Sequence, residues 1–437
     1  MSSGNFEKLR KWIESHNGYV CPNIKVVRSK IDDRIQNGVY ATDIIPSNTE
    51  ILRIPKICKL GGELVYQIPN IEQWINIDKD DLIKNNFHFK IVIALIYQKS
   101  LGKKSFYYPY IKHLPKSTDF IEHPIYNYSE DMIEEWTNCS SSFSLELQIL
   151  MQKFKKLNNF ITMCMEQYPI IDLSKFGTNP GILDSLVKWG FIIFLSRAWT
   201  GHGCIPFADF FNHKSSCQTI FNHYPEKVRE GESVMEIKTT YETGDEVFNH
   251  YGHWDNKALY INYGFWANEP VKFMKFTINF NPTTPLSYYI AELVKNEKIS
   301  PDKVLLTSRG PSGLLIKYLR ITSLADYDIH KVDTLKNNNK FGVQPISPSN
   351  EIIVYKNLLK LINGLRANEY SVERFNNCKM LFETSDNIVT KNLAQIIISE
   401  YEVIKNCIVW VHANWISKLE TPILNDVINF ISTLDIA

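Results

Sequence analysis

Residues 196–213 read Ser196-Arg197-Ala198-Trp199, then a short loop to Ile205-Pro206-Phe207-Ala208-Asp209-Phe210-Phe211-Asn212-His213. A second run, Gly244-Asp245-Glu246-Val247-Phe248-Asn249-His250-Tyr251-Gly252, leads through Asp255-Asn256 to Tyr263-Gly264-Phe265. Taken singly, these strings are ordinary. Arg197 and Asp209 can form a structural ion pair, Asn212-His213 can close a turn, and Tyr251 in an extended segment can be half-buried core. Two further strings lie upstream: Asn37 to Pro55, where Gly38 permits a close backbone approach, and Ser105-Phe106-Tyr107-Tyr108-Pro109-Tyr110-Ile111 before Leu114-Pro115.

Outward from these strings, the hydrophobic period changes four times. Phe6, Leu9, Trp12 and Ile13 have helical spacing, and Asn17-Gly18 ends that helix. IKVVRS, GVYATDI and TEILRIP then read as strands between turn residues. From about residue 80 the period is helical, in HFKIVIALIYQKSLG, ELQILMQKFKKLNNFITMCMEQ and SLVKWGFIIFLSRAW. Extended segments return between 205 and 280 as TIFNHYP, SVMEIKTT, DEVFNHY and FMKFTINF. Helices take over again to the end of the chain, in segments such as LSYYIAELVKNE and LNDVINFISTL, with the polar run from Lys336 to Lys340 as a solvated loop. Strands on both sides of a helical stretch predict one composite β-domain, because sheet edges need partners.

In this order the strings resemble SET-domain protein methyltransferases of the Rubisco large-subunit methyltransferase type. The resemblance implies an α+β fold: a pseudoknotted SET β-fold interrupted by a helical insert and followed by an all-α C-terminal domain. It divides the chain into residues 1–80 and 190–280 for the SET halves, 81–189 for the insert and 281–437 for a helical substrate-binding domain. The activity implied is S-adenosylmethionine-dependent protein-lysine N-methylation. Carried over by position, Tyr251 is the catalytic tyrosine and Arg197 meets a carboxylate of S-adenosylmethionine, which its planar fork suits. Asp209, Phe210, Phe211, Asn212 and His213 match the adenine segment, Tyr263, Gly264 and Phe265 the last cofactor segment, and Ile35, Gln36 and Asn37 the first cofactor loop. The family's usual glutamate is absent at 35. Trp199, Ala208 and Trp254 fall at the substrate channel.

Methyl transfer to an amine needs no metal and no acyl intermediate, only alignment of a lone pair with a sulfonium methyl. An unperturbed phenol titrates near ~10, so Tyr251 is a poor base and a better hydrogen-bonding group. A histidine-methylating relative carries an asparagine two residues after the family arginine and a tryptophan before the motif aspartate. Lysine-directed relatives carry an aromatic and a small residue there, and this chain has Trp199 and Ala208. Lysine is therefore the expected acceptor, with histidine methylation and a catalytically lapsed protein-binding scaffold as the alternatives. His202, Cys204, His213 and Cys217 are of metal-ligand type, but H-x-C spacing is awkward for two tetrahedral ligands, and no metal is expected.

The composition excludes broad classes. In 437 residues, Lys plus Arg (48) almost cancels Asp plus Glu (47), which argues against a non-specific grip on nucleic acid. No apolar run approaches the ~18 residues of a membrane span. The N-terminus has no secretory h-region, and the eight cysteines include no C-x-x-C pair. The expectation is a monomer in the cytoplasm or nucleus whose partner is a protein bearing the target lysine, with no direct nucleic-acid or membrane contact.

Overall fold

The computed structural model describes residues 4–31, 34–120, 122–252, 254–267, 273–275, 278, 280–299, 304–337 and 341–415. The chain forms two compact units that do not follow chain order. The first comprises 1–127, 146–254 and 260–264; the second comprises 128–145, 255–259 and 265–437.

The first unit opens with the helix Gly4–Glu14, whose Leu9 and Ile13 are buried. Arg10 ties this helix to the chain that follows, donating to the carbonyls of Val20, Cys21 and Ile24. The strands are β1 (Tyr19–Val20), β2 (Ile24–Ile31), β3 (Arg34–Ala41), β4 (Thr49–Ile54), β5 (Ala198–Trp199), β6 (Gly203–Cys204), β7 (Thr219–His223), β8 (Ser233–Ile237) and β9 (Glu246–Val247). They form sheets in the orders β1-β4-β8-β7, β2-β3-β9 and β5-β6. Antiparallel β4 and β8 pair Thr49 with Ile237 and Arg53 with Val234, and β3 and β9 pair Val39 with Val247. Strands from before and after the helical stretch thus share sheets, as the unpaired edges required. Val39, Ile51, Leu52, Ile54, Met235, Ile237 and Val247 bury the resulting core.

This unit also contains two apolar helices, Phe87–Ser100 and Ile182–Arg197, each burying most of its central turns. The second ends where the site begins. Ala198 is extended, so the chain leaves the helix at Arg197 and enters β5 directly.

The second unit is mainly helical, including Pro285–Asn296, Gly313–Thr322, Pro348–Ala367, Val372–Thr384 and Ile388–Trp415. Its helix starts follow local rules: Thr284 and Ser287 form a capping box with Pro285 next, and Ser347 caps Asn350 with Pro348 next. The expectation of purely helical structure after residue 281 needs one addition. Strands β11 (Leu305–Thr307) and β12 (Gly310–Pro311) form a small sheet with β10 (Phe273–Lys275). Runs this short carry too little periodicity to separate from a helix. Lys336 and Asn337 close the helix Ile329–Asn337 rather than opening a loop, a favourable end for a cation beside exposed carbonyls. Residues 338–340 and the expected helix LNDVINFISTL lie outside the described residues.

Candidate active site

Arg197 stands at the end of the apolar helix Ile182–Arg197, and Asp209 in the short turn Ala208–Phe210. Phe207, which introduces that turn, is buried and holds a left-handed φ of 73°, a strained state for an aromatic residue that surrounding packing must enforce. Arg197 Nη1 lies 3.1 Å from Asp209 Oδ2 and 2.8 Å from the Asp209 carbonyl. The side chains are 19% and 1% exposed. A third group supports the pair: the buried Tyr110 hydroxyl donates to Asp209 Oδ2 at 2.8 Å. Burial raises the Asp209 carboxyl above its ordinary range against the pull of Arg197 and Tyr110. Burial lowers Arg197, but Asp209, Tyr110 and Tyr251 together offset this and the guanidinium ends raised. Arg197 Nε and Asp209 Oδ1 are both buried without a hydrogen-bond partner. Orphaned charged groups are costly, and a pair of opposite sense is the signature of a site built for a polar ligand.

These residues border a cavity of about 290 Å³, also lined by Trp199, Asn249, Tyr251, Trp254, Asn262 and Tyr263. A second, more polar cavity of about 550 Å³ adjoins it and is lined by Thr219, Phe221, His223 and His250 among others. The two share Trp199, Asn249 and Tyr251, which therefore form the wall between them.

Tyr251 is positioned from three sides. Its hydroxyl donates to the Phe211 carbonyl at 2.8 Å, its N–H donates to His213 Nδ1 at 3.2 Å, and its ring tilts against that of Tyr263 at 4.9 Å. Burial pushes its phenol well up, although Arg197 opposes the shift. A phenol held protonated in this way is no general base at neutral pH. Tyr263 is likewise pushed up to about 12 by burial.

The segment before Tyr251 is not the continuous strand expected from DEVFNHY. β9 ends at Val247. Asn249 Oδ1 then accepts from the His250 N–H, and His250 Nδ1 from the Gly252 N–H, local bonds that compete with a ladder. What remains is a parallel bridge between His213 and Asn249, with Asn249 N–H on the Asn212 carbonyl and Lys214 N–H on the Asn249 carbonyl. This pairing lays the Asn-His segment alongside the Tyr-Gly segment.

The remaining expected residues divide. Asn212 Nδ2 donates to Glu246 Oε1 at 2.7 Å. Gly38 lies directly over this pair, where a Cβ would come within 2.9 Å of the Glu246 carboxylate. Asn37 next to it has a buried Oδ1 without a partner. Ile35 and Gln36 pair with Lys30 and Ser29 in the β2–β3 ladder, and their side chains lie outside the described residues. Phe210 and Phe211 are buried, with the Phe210 ring packed on Phe6 and Phe207; only the Phe211 carbonyl reaches the site. Ala208 is fully buried and lines neither cavity. Tyr263 ends the helix Asn256–Tyr263, and Gly264 caps it with a φ of 75° while its N–H bonds the Tyr260 carbonyl. Phe265 belongs to the second unit.

Several contributors escaped the sequence. Tyr110 stands in the string SFYYPYI, where nothing marks one tyrosine above its neighbours. His123 is buried beneath Gly264 with Nε2 facing the Asn262 carbonyl at 3.5 Å. Asn249 carried a signal, a polar residue inside an apolar run. Among the described residues, no group of three or more His, Cys, Asp or Glu side chains is arranged to hold a metal ion.

No protein-family model matches the chain. It is 25% identical over 293 residues to SET domain-containing protein 4 of Artemia parthenogenetica, an alignment covering 62% of this chain and 65% of that protein. The chain thus spans about 65% of the length of the curated relative it matches. Among solved structures it resembles the SET domain of LSMT bound to lysine and AdoHcy, with a TM-score of 0.60 and 17% identity over 95% of this chain and 92% of that one. Rubisco LSMT bound to AdoMet gives 0.58 and 18% over 96% and 93%. LSMT bound to sinefungin and monomethyllysine gives 0.60 and 18% over 95% and 93%. The fold is therefore the α+β SET fold of the LSMT type, split by helices and followed by a helical region.

Proposed function

We propose, on the premise of this shared SET fold, that the chain is an S-adenosylmethionine-dependent protein-lysine N-methyltransferase. One observation carries the reading: the buried Arg197–Asp209 pair, which keeps an unpartnered Nε and an unpartnered Oδ1, borders a cavity walled by Tyr251. Such a pair suits a ligand with both a carboxylate and an ammonium, which the methionyl end of S-adenosylmethionine carries. Support also comes from LSMT structures of this fold that hold AdoMet, and lysine together with AdoHcy.

When bound, the cofactor supplies an electrophilic methyl on a sulfonium; the amine–carbon bond forms as the carbon–sulfur bond breaks, and sulfur keeps the electron pair. The protein's task is to hold and align. Arg197 would meet the carboxylate through its guanidinium. Tyr251, with its proton committed to the Phe211 carbonyl, offers its oxygen as an acceptor for an incoming N–H. Trp199, Tyr263 and Trp254 give the cavity aromatic walls, which tolerate a cation and its methyl groups. A substrate lysine has to arrive neutral, and transfer from water into this wall beside fixed positive charge lowers its pKa from ~10.4. Trp199 in place of an amide favours lysine over histidine. We further assign residues 281–437 to substrate binding, and expect a monomer that acts on protein in the cytoplasm or nucleus.

The test is to incubate the purified chain with methyl-labelled S-adenosylmethionine and a cell extract lacking its own activity. The expected outcome is a labelled protein band. Cofactor binding by calorimetry without any labelled band would count against the enzyme, and neither binding nor label would leave the protein-binding scaffold, which need not bind the cofactor.

A further inference from the structure

We propose that Asn249 is a further cofactor-binding residue, whose side-chain amide shares the α-carboxylate of S-adenosylmethionine with Arg197. The inference rests on the methyltransferase reading above and adds a contact that reading does not contain.

Asn249 is 3% exposed and lines both cavities. Its backbone is fixed at both ends, N–H to the Asn212 carbonyl at 2.8 Å and C=O to the Lys214 N–H at 3.1 Å. Its side chain is oriented as well. Oδ1 accepts from the His250 N–H at 2.8 Å, and only the oxygen of an amide can do so, which assigns the other atom as the NH₂ donor. With Oδ1 held by the His250 N–H, Nδ2 is the atom of this amide left to meet a ligand in the cavities that Asn249 lines. A buried amide is costly unless its donors are met, so the position suits an acceptor that arrives with a ligand.

The residues around the first cavity thus offer two unsatisfied polar atoms and the amide of Asn249. Arg197 Nε is an unpartnered donor and Asp209 Oδ1 an unpartnered acceptor, and Asn249 Nδ2 is a second donor on the same cavity. An amino-acid head group has the complementary set: a carboxylate to take two donors and an ammonium to meet one acceptor. An adenosine moiety alone has neither charge.

Calorimetry with two probes separates the parts. S-adenosylhomocysteine carries the head group; 5′-methylthioadenosine has the same nucleoside and thioether without it. Asn249→Ala should weaken S-adenosylhomocysteine about tenfold, the usual worth of a hydrogen bond to a charged group. It should leave 5′-methylthioadenosine binding as in wild type, which also reports that the variant is folded. Asn249→Asp retains an acceptor for the His250 N–H while replacing the donor by an anion, and should weaken S-adenosylhomocysteine further. Equal weakening of both probes, or of neither, would overturn the assignment while leaving the methyltransferase reading intact. Failure of wild type to bind S-adenosylhomocysteine would instead overturn that reading and this inference together.

Discussion

The Tyr251 hydroxyl donates to the Phe211 carbonyl at 2.8 Å, so the one proton of this phenol is already committed. Toward a substrate amine its oxygen can then only accept, which makes Tyr251 a positioning and hydrogen-bonding group and not a base. Burial strengthens the point by pushing its pKa up. Tyr251→Phe keeps the ring against Tyr263 and removes the oxygen. Turnover should fall about a hundredfold, the scale of a misaligned reacting group, while calorimetry should give near wild-type cofactor affinity. A collapse of cofactor binding would show that the role is wrong.

Asp209 is held by Tyr110 as well as by Arg197. Deleting the carboxylate by Asp209→Ala leaves a buried guanidinium without its counter-charge, which costs about 3–5 kcal/mol of stability. Tyr110→Phe removes only a hydrogen bond to a charged acceptor, worth about 1.5–3 kcal/mol. Chemical unfolding of the two variants should rank them in that order, and an Asp209→Ala protein as stable as wild type would contradict the buried-pair description.

Gly264 combines a left-handed φ of 75° with a Cβ position 2.8 Å from the His123 ring. Alanine there meets both penalties, about 1–2 kcal/mol for the backbone alone. Gly264→Ala should lower the melting temperature and also the ligand affinity, because it shifts Tyr263 at the cavity wall. A variant with unchanged stability would mean that the turn relaxes freely.

His123 gives a pH dependence with a definite sign. Burial depresses its pKa to about 4, opposed by the Asn262 carbonyl, whereas an unfolded histidine titrates near ~6.5. Between these values the unfolded chain binds a proton that the folded chain refuses, so stability falls as pH drops from ~6.5 to ~4, by up to about 3 kcal/mol. His123→Gln removes the titrating group. Melting temperatures measured across this window should fall less steeply for the variant, and parallel slopes would remove His123 from the account.

Much of the architecture was legible because it depends on period and order. Alternation in TEILRIP and SVMEIKTT marked β4 and β8, and the unpaired edges of early and late strands required them to meet. The candidate site was legible through the order of its strings and the resemblance they carry, which singled out Arg197, Asp209 and Tyr251, and all three line one cavity. Residues that act through burial were not. Tyr110 and His123 become important only when distant segments fold onto Asp209 and Gly264, and no local spacing encodes such contacts. The run DEVFNHY misled because side-chain bonds of Asn249 and His250 replace the ladder beyond Val247. Ala208 has the expected size, yet full burial removes it from both cavities.

The most direct measurement is residue analysis of the labelled product. Protein methylated by the purified chain with methyl-labelled S-adenosylmethionine is hydrolysed to amino acids, and the label is assigned by mass. The account predicts label on the ε-amine of lysine, reduced about a hundredfold with Tyr251→Phe. Label on histidine, or protein without label from a chain that binds the cofactor, would contradict it.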